Sequence, residues 1–309
     1  MKKALIQMSV AVILWGFTGV LGRAISLDAP VLVWYRMLFT AVFMAAIVLF
    51  RREWVTLKAK DILKLAGIGS VISLHWVAFY ASIKFANISV ALVCLSTAGV
   101  FTSLLDPFVN KGKHNLAELL LGFLAIVGVY LIYRYQVSFG VGIVFGLIAA
   151  ILSSVFTILN KRISNRFPAR TIVFYEMATG FVFVSALIFV YFYYMPDKKF
   201  WPANPAIFGI DWYRNDWLWL VVMSLCCTVW AQFLALSALK KLSSFTATLS
   251  VNLEPVYGIL LAFLFYNENK EIIFLNHTTQ LNFGFIMGMG LILLSVAMQM
   301  FRILSRRSV

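Results

Sequence analysis

The sequence predicts an all-α integral membrane protein of ten transmembrane helices, arranged as two inverted five-helix repeats. Three observations predict this class. Of 309 residues, 62% are hydrophobic and 12% charged, with a mean hydropathy of +0.91; a soluble domain carries about 25% charged residues. The apolar residues gather in tracts of about 20, the length that crosses a ~30 Å hydrocarbon core. Short motifs then recur in the same order in the two halves of the chain.

Taken in order, the tracts cover residues 4–22, 31–50, 62–82, 88–108, 116–134, 139–159, 171–194, 217–237, 245–266 and 281–301. The first follows Met1-Lys2-Lys3 like a signal peptide, but it runs to Leu21 without a persuasive cleavage site and reads as a span. The second carries Pro30 at its start and Arg36 inside it, and the third carries His75 and Trp76 at mid-depth. Gly122 and Gly128 in the fifth tract, and Gly284 with Gly288 in the tenth, suit close backbone packing, as do Gly142 and Gly146 in the sixth. Residues 195–216, rich in Pro, Trp and Asp, read as a surface lid or interfacial segment. Cys94, Cys226 and Cys227 all lie in apolar tracts, which favours inert packing over a disulfide framework.

The net charge of +14 does not point to nucleic acid, because the basic residues sit in short loops between apolar tracts. Eighteen of the 26 lysines and arginines fall on the side that holds both chain ends, and seven on the other. The bias of basic residues toward the cytoplasm then places both termini inside.

The repeat is carried by matched motifs. Val33-Trp34-Tyr35-Arg36-Met37 in the second tract answers Val173-Phe174-Tyr175-Glu176-Met177 in the seventh. Trp76 answers Trp230, and Gly99-Val100-Phe101 answers Pro255-Val256-Tyr257. Five spans per half is an odd number, so the halves must cross the membrane in opposite senses, an arrangement typical of transporters with a site near the midplane.

Further motifs carry a family resemblance: Leu14-Trp15-Gly16, Pro30 followed by Arg36, Leu253-Glu254-Pro255-Val256-Tyr257, and Asn267-Glu268. Over essentially its whole length the chain resembles the EamA branch of the drug/metabolite transporter superfamily. The resemblance implies a secondary transporter of a bacterial inner membrane, exporting small metabolites or amino acids. Residues 1–136 would form the first EamA repeat and residues 137–309 the second. In the fourth span Ala98-Gly99 stands where the family has a proline-containing turn, so the residues do not themselves require a matching helix break there.

The candidate site is centred on Glu254-Pro255. A carboxylate at a bilayer centre costs at least ~2.5 kcal/mol and normally faces a cavity or partner. Glu254 lies about eleven residues into its tract, ~16 Å deep at 1.5 Å per residue. His75 is similarly deep, and both are candidate proton carriers beside their plainer reading as hydrogen-bonded structural groups. Trp15, Trp76 and Trp230 lie mid-span, away from the interfaces where tryptophan gathers. They are read either as packing or as an aromatic wall that stacks on a solute or holds an ammonium group.

Phe79, Tyr80, Ser96, Thr157, Ser250 and Tyr257 complete the residues read as binding or coupling, from polar and small stripes at helical spacing. The eighth-span stripe is Cys226, Trp230, Phe233 and Ser237. Arg36, Glu176, Pro255, Gly99 and Asp106 are read as structural or gating, with Arg36 close enough to its span end to snorkel. The expected partners are a small-molecule solute, the lipid bilayer and a coupling proton.

No metal-ligand spacing, nucleotide-binding loop or supported Ser/His/Asp set is found, and no cofactor or enzymatic activity is expected. A lipid-modifying enzyme using Glu254 and His75 would lack a nucleophile or metal. A structural or sensory membrane protein would not require paired polar stripes.

Overall fold

The computed structural model describes residues 2–52, 55–110, 116–135, 139–203, 215–242, 244–251 and 253–266, and helical residues 286–288, 290–291, 293–295, 297–298 and 301. Among these residues every regular element is helical. In chain order they are α1 (Lys2–Ala24), α2 (Ala29–Phe50), α3 (Ala59–Phe85), α4 (Ile88–Leu95), α5 (Ala98–Asn110), α6 (Leu116–Tyr135), α7 (Gly140–Ile163) and α8 (Ala169–Tyr194). After them come α9 (Asp216–Ser224), a π-helical turn (Leu225–Trp230), α10 (Ala231–Leu239), α11 (Ser244–Val251) and α12 (Glu254–Tyr266).

Seven helical runs among the described residues are long and apolar enough to span a bilayer: Lys3–Ala24, Ala29–Phe50, Ala59–Phe85, Ile88–Asn110, Gly140–Ile163, Ala169–Tyr194 and Asp216–Leu239. The chain is a multi-pass membrane protein. Asn267-Glu268, residues 204–214 and about half of the tenth apolar tract lie outside the described residues.

The helix starts follow local chemistry. Pro30 stands in the first turn of α2, where its missing N–H is no loss and its fixed φ suits the helix. Asn87 caps α4 by accepting from the Val90 amide at 2.8 Å, and Asn215 caps α9 through the Leu218 amide at 3.1 Å.

Two spans are broken. Ser96 and Thr97 separate α4 from α5, and a break at Leu253 separates α11 from α12. No proline is needed for the first of these. The Ser96 and Thr97 hydroxyls donate to the Val93 and Cys94 carbonyls, each at 2.6 Å, and Ser154 of α7 donates to the Ala98 carbonyl at 2.7 Å. Hydroxyl groups thus partner carbonyls around the interrupted turn, the condition for irregular backbone at membrane depth. The second halves of the two broken spans begin at Ala98 and Glu254, the residues that directly precede the matched Gly99 and Pro255.

Packing rests on close backbone approach. Helix α3 lies against α7 and α8, α1 against α10 and α12, and α4 against α7 and α12. At the α3–α8 crossing a methyl group on Gly69 would collide with the Glu176 carbonyl, and one on Gly180 would come 2.8 Å from the Gly69 carbonyl. Gly146 similarly admits Cys94, while Ser82 donates to the Gly142 carbonyl at 2.7 Å. The small residues of α7 therefore serve partly as helix contacts.

Overpacking a tight site costs about 1–3 kcal/mol. Gly69→Val is expected to lower the thermal unfolding midpoint in detergent. Gly67→Val, where a methyl group would meet nothing within 4 Å, should leave that midpoint unchanged.

Candidate functional site

Seven helical spans converge on a cavity of about 60 Å³. Helix α1 contributes Trp15 and Thr18, α2 contributes Arg36, and α3 contributes His75, Trp76 and Phe79. Ser153, Phe156 and Thr157 come from α7 and Gln232 from α10. Leu95, Val251 and Glu254 come from the residues flanking the two helix breaks. Breaking α4–α5 and α11–α12 at this level lets helix ends, rather than helix walls, approach the cavity.

Arg36 is the most constrained group in the site. It is 2% exposed, so the snorkelling expected from the sequence does not occur. The guanidinium finds inside the bundle what headgroup water would otherwise supply. Nε donates to the Thr228 hydroxyl at 2.8 Å and one terminal nitrogen donates to the Tyr80 hydroxyl at 2.6 Å. Its carbon stands 3.8 Å from the centroid of the Trp76 ring, in cation–π contact. Its own backbone carbonyl accepts from Thr40 at 2.7 Å and from Ser224 at 3.3 Å. Tyr80 in turn donates to the Met223 sulfur at 3.2 Å. With these hydrogen bonds made, Arg36 faces Glu254 across the cavity both residues line.

The π-helical turn explains why Thr228 reaches Arg36. Its hydroxyl bonds the Met223 carbonyl, five residues back, at 3.1 Å. The extra residue per turn shifts the register of the eighth span relative to an α-helix. Thr228 and Gln232 consequently face inward. The stripe expected to face inward is displaced, and Trp230 is 55% exposed and lines a different opening with Phe233. Trp230 is therefore not part of the central wall, a correction that a regular 3.6-residue period could not anticipate.

His75 is held by its Nδ1, which donates to the Ala149 carbonyl at 2.8 Å, and its ring meets Phe156 edge-on at 5.3 Å. Tyr80 lies one layer behind the cavity, as the partner of Arg36. Ser96 is occupied at its helix break. Ser250 and Tyr257 are not among the lining residues, and Tyr257 packs α12 against Gly16 of α1.

Glu176 is buried in α8 beside Asn160, away from Arg36, and one of its oxygens has no hydrogen-bond partner. Asp106 accepts from Asn110 at 2.6 Å near the end of α5. Gly99 and Pro255 stand one residue into α5 and α12. Gln232, Phe156 and Thr228 were not singled out from the sequence; for Thr228 and Gln232 the hidden signal is the π turn.

A second opening of about 40 Å³ shares Trp15, Phe156, Thr157, Gln232 and Val251 with the first. It runs toward the end of the bundle where α1 begins, reaching Met8, Asn160 and Leu239. The opposite end is tied shut. Asp216 accepts from the Ser26 amide at 2.9 Å, the Ser26 hydroxyl at 2.6 Å and the Ala203 amide at 2.8 Å. Asp28 accepts from Tyr191 at 2.9 Å and pairs with Lys198 at 3.3 Å. Phe200, in the loop after α8, packs on Trp34, Tyr35 and Phe192, so the described part of that loop is seated on the bundle.

A profile of the EamA-like transporter family matches residues 2–134 and 140–301. The chain belongs to this family. An uncharacterized transporter of Bacillus subtilis (strain 168), YxxF, is 23% identical over 277 residues, spanning 87% of this chain and 84% of that protein. An uncharacterized transporter of Archaeoglobus fulgidus is 24% identical over 259 residues, covering 79% and 82% of the two chains. A solved crystal structure shares the fold with a TM-score of 0.62 at 15% identity, over 96% of both chains. The family match places the chain among the EamA-like membrane transporters.

Removing one partner of a buried charged donor costs about 1.5–3 kcal/mol. Tyr80→Phe, which keeps the ring and deletes the acceptor for Arg36, is expected to lower the unfolding midpoint. Tyr193→Phe, at an 81% exposed tyrosine, provides the unaffected comparison.

Proposed function

We propose that this EamA-family protein is a secondary transporter that works by alternating access around the Arg36–Glu254 cavity and exports a small metabolite or amino acid. The single observation that carries this reading is the meeting of one buried cation, one buried carboxyl group, an imidazole and two indoles at the level of two helix breaks. The arrangement supplies opposite charges and aromatic faces for a small polar solute. A cavity of about 60 Å³ is smaller than the ~300–1,000 Å³ of a typical ligand pocket. Loading a solute therefore requires the halves to part. The tied end near Asp216 and the cavity leading the other way together fit one closed gate and one approach.

In this reading the chain has ten spans in two inverted repeats, residues 1–136 and 137–309, with both termini on the cytoplasmic side of a bacterial inner membrane. The match of the family profile in two stretches, and the paired breaks at Ala98 and Glu254, support that division. Trp15, Trp76, Phe79, His75 and Thr157 contact the solute, while Gly99 and Pro255 sit at the hinges. Glu254 carries the coupling proton, because it is the carboxyl group that lines the cavity.

Purified protein in proteoliposomes is expected to show solute-dependent counterflow within a panel of amino acids and metabolites. Absence of flux across the panel would count against transport. Glu254→Gln, which keeps the shape and removes the titratable group, should abolish flux driven by a pH gradient while retaining part of the solute binding. Unchanged gradient-driven flux in that variant would exclude the proton role.

A further inference from the structure

The outward side of the π-helical turn faces a larger, separate opening. This groove, of about 340 Å³, lies between α2, α8 and the eighth span, with Ile47, Phe50, Trp230 and Phe233 along its wall and Arg51 and Arg170 among its lining residues. Phe50 is 89% exposed and Trp230 55%, so the groove opens on the face that a bundle of this kind presents to lipid. The charged groups gather at one end. Arg51 is the C-terminal cap of α2, and Arg170 is the second residue of α8, its guanidinium 5.1 Å over the Phe233 ring.

From Arg51 the wall descends along α2 through Ile47 to Met44, about 10 Å at 1.5 Å per residue. Two cations at the helix ends above an aromatic and aliphatic trough complement an amphiphile with an anionic head and a hydrocarbon tail. Basic pockets between transmembrane helices bind lipid headgroups by this chemistry, and guanidinium groups suit phosphate oxygens.

We propose that this groove binds an anionic phospholipid, its phosphate held between Arg51 and Arg170 and an acyl chain lying along Ile47 and Trp230. The site has a direct structural route to the central cavity. Val229 and Trp230 line the groove, while Thr228 of the same turn accepts the hydrogen bond from Arg36. Lipid in the groove therefore braces the turn that holds the buried cation. A soluble phosphate compound would meet the same arginines but leave the apolar trough open to other lipid chains.

The test titrates the purified full-length protein with phosphatidylglycerol, phosphatidylcholine or glycerol 3-phosphate and follows binding by native mass spectrometry. Phosphatidylglycerol should be retained well above the other two. The Arg51→Ala/Arg170→Ala variant should retain it roughly thirtyfold less well, at about five- to sixfold per arginine. The Arg162→Ala/Arg166→Ala variant, altering exposed arginines at the same end but outside the groove, should retain it as the parent does. Trp230→Ala should weaken retention without changing the unfolding midpoint. Equal losses in the two arginine pairs, no preference over phosphatidylcholine, glycerol 3-phosphate binding as tight as the lipid, or full retention by Trp230→Ala would each overturn the proposal.

Discussion

A guanidinium taken out of water inside a lipid-spanning bundle is the constraint to which the rest of the site answers. An uncompensated arginine at such a depth costs at least ~2.5 kcal/mol even on the mildest insertion scale. The Arg36 guanidinium is held by groups from two other segments. Tyr80 and Trp76 come from α3 and Thr228 from the π turn, with Glu254 facing it from the start of α12. Each of those groups is in place because of a specific local feature. Trp76 and Tyr80 share a face of α3, Thr228 is turned inward by an irregular helix, and Glu254 opens a helix at a break. The tight α3–α8 crossing at Gly69 and Gly180 sets α3 against the bundle and so fixes the two aromatic partners of Arg36.

The molecule is also asymmetric along its length. At one end, Asp216, Asp28 and their partners tie the α1–α2 link to α8 and α9. At the other, the cavity continues past Gln232 toward Asn160 and Met8, and Lys161 donates to the Leu239 and Leu242 carbonyls at 2.7 and 2.5 Å beside that route. The two ends hold different contacts: Asp216 and Asp28 receive several donors on one side, where Lys84 also donates to the Ile25 carbonyl, and Lys161 donates to two backbone carbonyls on the other.

Much of this was legible in the sequence. Composition and tract length set the membrane class, and the Glu254-Pro255 pair marks the level of the cavity. Trp15, His75, Trp76, Phe79 and Thr157 line the cavity with Glu254 because each lies on a regular helical segment, where spacing translates into facing. Regularity was also where the reading failed. A π turn rotates everything beyond it, so Trp230 faces outward and Gln232 inward. Arg36 looked like a snorkelling residue because a sequence shows depth along a helix but not the hydroxyl groups that other helices bring to it. The fourth-span break arose from Ser96 and Thr97 rather than a proline, and hydroxyl groups that bond backbone carbonyls leave a weaker signature in a sequence.

The account stands on the electrostatic dependence of Arg36 and Glu254 on one another across the cavity. A double-mutant cycle in unfolding stability tests it directly, using Arg36→Met, Glu254→Gln and the two combined. Groups that share a buried site couple by about 0.5–3 kcal/mol, whereas independent sites add. The account predicts that the combined variant loses less stability than the sum of the single losses, by an amount within that range. Additive losses would contradict it.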